Sequence, residues 1–194
     1  MLNWIKRIFL IVTFVVLAYS VVYILVAVYK NKAIEADARP FELEQLHKDG
    51  EFQFCELEWG MSVEEVNAQM PYSLESNSES HIKRKIIEYS PQNTYVLDGK
   101  KCKSFFQFEE EKLVMIQHSF RVDENYKEWF EVLIEELRRL YGVETDTTEL
   151  FGEENKINSI GYRWDKSETT LQIVLITGNT KKYHPSIIIS VAKK

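Results

Sequence analysis

Trp59-Gly60-Met61-Ser62-Val63-Glu64-Glu65-Val66 is the stretch on which the fold reading turns. Ser62, followed three residues later by Glu65, has the form of a capping box: the hydroxyl takes a free backbone N–H and the carboxylate reaches back to the cap. Met61 and Val66 stand at the two positions of a hydrophobic staple. A helix is therefore expected from Val63, ending before Pro71, because proline disfavours helical backbone in the residue ahead of it.

Downstream, SLESNSES at 73–80 reads as a polar loop. Ile82–Tyr89 and Tyr95–Leu97 are strand-like, and Lys101–Phe108 with Leu113–Arg121 form a stronger hairpin across the charged turn Glu109–Lys112. Tyr126, Trp129, Phe130, Leu133, Leu137, Leu140 and Tyr141 then recur at three-and-four spacing, the stripe of an amphipathic helix that Gly142 ends. After an acidic loop at 144–154 come three more strands, Ser159–Asp165, Thr169–Thr177 and Ser186–Ala192.

Upstream, Ile8 to Tyr29 is an uncharged run of 22 residues between Lys6-Arg7 and Lys30. As a helix it would reach ~33 Å, enough for a hydrocarbon core of ~30 Å. A cleaved signal has a shorter apolar core and a nearby small-x-small site. Ala18-Tyr19-Ser20 lies inside the run and Ala36-Asp37-Ala38 lies well past it, so an uncleaved anchor is expected. Lys30, Lys32, Arg39 and Lys48 outnumber Lys6 and Arg7, which favours a C-terminal side inside. The short basic tail before the run has instead the shape of a signal-anchor. The expectation adopted is a single-pass cell-membrane protein with its N-terminus cytoplasmic and the C-terminal domain extracytoplasmic.

The fold class expected is α+β: an N-terminal transmembrane helix, then a two-layer domain of antiparallel sheet with helices on one face. The parts are an anchor at 1–29, a stalk at 30–50 and a domain at 51–194. Helix-then-strands occurs twice, at 51–121 and 122–194, which suggests half-repeats. All 30 acidic residues and 22 of the 24 basic ones follow the anchor. That net negative charge argues against a nucleic-acid partner.

Trp59-Gly60-Met61-Ser62-x-x-Glu65-Val66, followed by an aromatic hairpin ending in Glu111-Lys112-Leu113, resembles modules of bacterial envelope proteins. It is similar to the β-lactamase-inhibitor-like group and to SmpA-type assembly lipoproteins, which share a helix start of this form before a sheet. It also looks like exported proteins of Gram-positive bacteria with a W-G-M-S core. The resemblance implies a module that binds other proteins. The chain lacks the lipoproteins' lipidated cysteine.

No catalytic, cofactor or metal constellation stands out. His47, His81, His118 and His184 form no HExxH pattern, and no G-x-S-x-G elbow or phosphate loop occurs. His118 lies between Ile116 and Phe120 and reads as a core-edge residue. Glu144, Asp146, Glu149, Glu153 and Glu154 offer oxygen to a cation, but without EF-hand spacing, and charged loops are usually solvated. Lys83, Arg84, Lys85, Lys100, Lys101 and Lys103 could meet an anionic polymer, or simply protect a sheet edge. Trp59, beside the lone Gly60, fits packing beneath the helix start. Cys55 and Cys102 either pair, closing a loop worth roughly 4 kcal/mol, or are two small buried hydrophobes. The function expected is a non-enzymatic binder of another envelope protein; the competing class is an envelope hydrolase.

Overall fold

The computed structural model describes residues 38–70, 72–77, 86–122, 124–151, 157–178 and 184–194, with Tyr19, Ser20 and Tyr23. The chain divides into two units, Met1–Ala38 and Arg39–Lys194. In the first, Tyr19, Ser20 and Tyr23 are helical and both tyrosines are exposed.

The second unit begins with β1 (Arg39–Pro40), a 3₁₀ turn at Leu43–Leu46, β2 (His47–Lys48) and β3 (Glu51–Phe52). Helix α1 (Val63–Gln69), β4 (Leu74–Ser76), β5 (Ile86–Pro91), β6 (Tyr95–Leu97), β7 (Lys100–Glu109) and β8 (Lys112–Arg121) follow. Helix α2 (Tyr126–Tyr141) leads to β9 (Asp146–Phe151), β10 (Ile157–Asp165), β11 (Thr169–Gly178) and β12 (Ser186–Lys193).

Ten of these strands make one sheet, in the order β1-β6-β7-β8-β12-β11-β10-β9. Strand β5 pairs the far half of β7, and β4 pairs β5. Every pairing is antiparallel except β1 with β6. Reading β4-β5-β7-β8 against β12-β11-β10-β9 shows two meanders, each preceded by a helix, meeting at the β8–β12 pair.

Register separates the two faces. One face carries rows such as Trp164–Leu171–Val191–Ile116–Phe106 and Leu175–Ile187–Phe120–Cys102. These residues are buried, and Phe130, Leu133, Ile134 and Leu137 of α2 complete the same core. The helix ends where Gly142, at φ +86°, donates its N–H to the Arg138 carbonyl. A left-handed φ of this kind suits glycine, which has no Cβ to crowd the backbone.

At the other helix start, Ser62 Oγ accepts from the Glu65 N–H at 3.2 Å and Glu65 Oε2 accepts from the Ser62 N–H at 2.8 Å. Gly60, at φ +88°, turns the chain so that its N–H reaches the Leu113 carbonyl, while Leu113 N–H reaches that of Met61. Trp59 Nε1 donates to the Phe52 carbonyl at 2.8 Å. The eight-residue stretch is thus pinned to the first residues of β8 as well as capped.

Two expectations are corrected. The fold is mainly β rather than α+β, because segments without a core-facing repeat pair nonetheless. Leu74–Ser76, within the expected polar loop, is β4, and Asp146–Phe151, within the expected acidic loop, is β9. Strands at the ends of a sheet can form through backbone hydrogen bonds with one neighbour and little burial, so their composition gives little sign of them.

The transmembrane helix is not supported. No helix among the described residues is long and apolar enough to cross a membrane. Helix α1 has 7 residues and α2 has 16, against the ~20 predominantly apolar residues a span needs. Apart from Tyr19, Ser20 and Tyr23, the run from Ile8 to Tyr29 lies outside the described residues. The single-pass assignment, the cell-membrane localisation and the proposed orientation are set aside with it. Residues from Arg39 onward belong to the sheet-bearing unit, with Phe41, Leu43 and Leu46 buried.

Candidate functional site

The segment from Arg39 to Leu57 lies over the core side of the sheet. Strand β1 holds its beginning, with Arg39 N–H bonded to the Thr94 carbonyl and Phe41 N–H to that of Val96, both at 2.9 Å. Its middle is fixed at Glu51, whose carboxylate accepts from Thr169 Oγ1 at 2.5 Å, the Glu168 N–H at 3.2 Å and the Ser167 hydroxyl. Hydrogen bonds from Ser167 and Thr169 draw the Glu51 pKa down to about 2. Tyr141 of α2 donates its hydroxyl to the Leu43 carbonyl.

Phe41 and Phe54 from this segment meet Tyr95 of β6 in a cluster of edge-on rings, with centroids 5.1 to 6.1 Å apart. All three contact the imidazole of His118, at 4.8, 4.5 and 5.7 Å. His118 is fully buried and faces Ile189 of β12 on one side and Ser104 of β7 on the other.

His118 Nδ1 lies 2.8 Å from Ser104 Oγ. Ser104 Oγ is 3.6 Å from Cys102 Sγ, and Cys102 Sγ donates to the Tyr95 carbonyl at 3.5 Å. One direction of donation satisfies this chain: Nδ1–H to Ser104, Ser104 O–H to Cys102, and Cys102 S–H to the carbonyl. It leaves Nε2, which has no hydrogen-bond partner, as a bare acceptor and not as an N–H without a carbonyl.

Burial lowers the His118 pKa to about 3. Burial likewise raises Cys102 to about 11. Ser104 and His118 are a nucleophile-and-base pair in distance alone: both are buried and the imidazole is a weak base. Among the described residues no acid is bonded to His118 Nε2.

Outside the ring cluster is a cleft of about 230 Å³, whose lining includes Arg39, Phe41, Phe54, Cys55, Leu57, Met70, Tyr72 and Tyr95. Arg39 is exposed, with its guanidinium 5.1 Å from the Tyr72 ring centroid. Cys55 is half-buried at φ +55°, and burial raises its thiol to about 11. Burial also raises the Tyr95 hydroxyl, with smaller contributions from Tyr72 and Cys55. Neither thiol nor phenol is thereby prepared as a nucleophile, which would need a depressed pKa.

The other sheet face has a different character. Rows Gly161–Val174–Ile188–Ser119 and Gln172–Ser190–Gln117–Phe105 cross it, and all are half-buried except Gly161. Uncharged polar and apolar side chains alternate across the middle strands.

The residues singled out from sequence fall in separate places. Trp59, Gly60, Met61, Ser62, Glu65 and Val66 form the capped junction described above, with Trp59 half-buried against the core. Cys55 and Cys102 are both free thiols, one beside the cleft and one in the interior. Among the described residues, no group of three or more His, Cys, Asp or Glu could hold a metal ion. Lys83, Arg84, Lys85, His81, Glu153 and Glu154 lie outside the described residues. Glu144 pairs instead with Arg138 through two short bonds of 2.8 and 2.6 Å, and its pKa falls to about 2.

Sequence reasoning missed Ser104, Phe41 and Arg39 as neighbours of anything chemical. Only the alternation of Cys102, Ser104 and Phe106 on one strand face pointed inward, and nothing local placed Phe41 above them. No known protein family, curated protein or solved structure matches this chain.

Proposed function

We propose that this protein is a non-enzymatic module whose sheet face opposite the core binds another protein. The observation that carries the reading is the composition of that face. Phe105, Val174 and Ile188 alternate with Gln117, Ser119, Gln172 and Ser190, half-buried and without a charge among them. The centres of protein interfaces are depleted in charge and tolerate interleaved polar groups. Lys103, Arg121 and Arg163 stand around it on the same face.

The enzyme reading draws less support. The Ser104–His118 pair sits under three rings, and the cleft outside them presents a thiol and a phenol with raised pKa values. Similarity of Trp59–Val66 to envelope modules that bind proteins points the same way as the sheet face. The test is affinity capture by the full chain from its native cells, comparing the natural sequence with Ile188→Lys and Phe105→Ala. Loss of a captured protein with an unchanged melting temperature supports the reading. Undiminished capture by both variants refutes it.

A further inference from the structure

We propose that the cleft bounded by β1, residues 53–57 and the end of α1 binds a carboxylate carried on a single aromatic ring. This cleft is separate from the sheet face opposite the core, and its size, lining and charge select the ligand.

Size comes first. An apolar cavity of about 150 Å³ accepts benzene, whereas drug-sized ligands occupy ~300–1,000 Å³. At about 230 Å³ the cleft has room for one ring and a short arm, and not for a larger cofactor. Its lining matches that body: Phe54, Leu57, Met70 and Tyr95 are buried core residues that border it, and Tyr72 stands edge-on to Tyr95 at 6.2 Å.

Charge supplies the second half. Arg39 holds its guanidinium carbon 5.1 Å from the Tyr72 ring centroid, and a guanidinium offers paired N–H donors that match a carboxylate. Among the described residues no carboxylate pairs with Arg39. The acid that does line the cleft, Glu56, is already engaged by Lys48 Nζ at 2.5 Å. Among the described residues the cleft thus joins apolar side chains to a cation at its rim that no carboxylate pairs. A fatty or aromatic cation would meet repulsion there, and a neutral ring would leave Arg39 unused.

The ligand chemistry has two sources, a free aromatic acid or a peptide ending in phenylalanine, and the test separates them. The full chain is titrated calorimetrically with 3-phenylpropionate, 3-phenylpropanol and 3-phenylpropylamine. A short peptide ending in phenylalanine is compared with its C-terminal amide. The expected order is acid above alcohol above amine, with Arg39→Gln weakening the acid about ten-fold or more and leaving the alcohol unchanged. Arg39→Lys should fall between, since it keeps the charge and loses the fork. Saturating acid should slow N-ethylmaleimide labelling of Cys55 at pH 8.5. This readout does not depend on any variant folding. A peptide that binds more tightly than 3-phenylpropionate, and fails as the amide, assigns the site to chain termini; a free acid that binds as well assigns it to small molecules. The proposal is overturned if the alcohol or amine binds as tightly as the acid, if Arg39→Gln changes nothing, or if Cys55 labelling is not slowed.

Discussion

His118 concentrates the chemistry of the interior in one side chain. Its folded pKa of about 3 lies below the ordinary value of 6.5, so the unfolded chain binds a proton that the native chain refuses. Stability is therefore fully present above about pH 6.5 and declines as pH falls toward 3, by up to roughly 1.4 kcal/mol per pH unit. Glu51 and Glu144, each drawn down from 4.5 to about 2, add a decline in the same direction only at lower pH. The window from pH 6.5 to 4.5 isolates the histidine. Urea titrations across it should show the slope in the natural sequence and its loss in His118→Leu. That variant will be weaker at pH 7, because Ser104 loses its partner. An identical slope in both would mean that other groups titrate there.

Ser62 and Glu65 carry a second residue-scale expectation. Ser62→Ala should cost about 1 kcal/mol. Glu65→Ala should cost less, and the double variant should fall short of the sum, because both substitutions dismantle one reciprocal pair. Thermal melts of the three variants would show it; full additivity would mean the two bonds act separately.

The β7–β8 hairpin shows how elements reconcile sequence with geometry. Its connection, Glu110-Glu111, adopts φ +49° and +67° at two residues that have no particular fitness for it. Both central residues of a type I′ turn need positive φ, which Asn-Gly supplies with least strain. Replacing Glu110-Glu111 with Asn-Gly should stabilise the protein by about 1 kcal/mol in a urea series. A loss would mean the two carboxylates contribute more than their backbone costs. The hairpin was readable because Cys102, Ser104, Phe106 and Phe108 alternate inward on one strand and Ile116, His118 and Phe120 on the other, and α2 because its stripe recurs over four turns. Strand β4 shows one buried residue, Leu74, and every residue of β9 whose burial is described is exposed. Such edge segments pair through backbone groups that every sequence possesses, so composition favours reading them as loops. The layer of Arg39 to Leu57 over the sheet was unreadable for another reason. Its contacts join Phe41 and Phe54 to His118, and Glu51 to Thr169, across separations that no local pattern encodes. The cleft and the histidine cluster both depend on those long-range contacts. They emerge only when the fold is known.

At the scale of the molecule, one ten-stranded sheet has two unlike faces. The core face is closed by α2 and by the Arg39–Leu57 segment. The opposite face keeps Phe105, Val174 and Ile188 half-exposed in the middle of the sheet. Side chains on a strand alternate with period two, so a burial pattern that serves the core also decides what the second face displays. Binding energy at an interface concentrates in a few buried anchors, aromatic side chains foremost, while surrounding charges mainly adjust the association rate. The most direct measurement is capture of a partner by the full chain and by Phe105→Ala, Ile188→Lys and His118→Leu, each with its melting temperature and its amount of folded protein recorded. The expected result is capture abolished by the two sheet-face substitutions at unchanged stability, and retained by whatever His118→Leu protein remains folded. Capture that survives both sheet-face substitutions and is lost with His118 in the folded protein would contradict it.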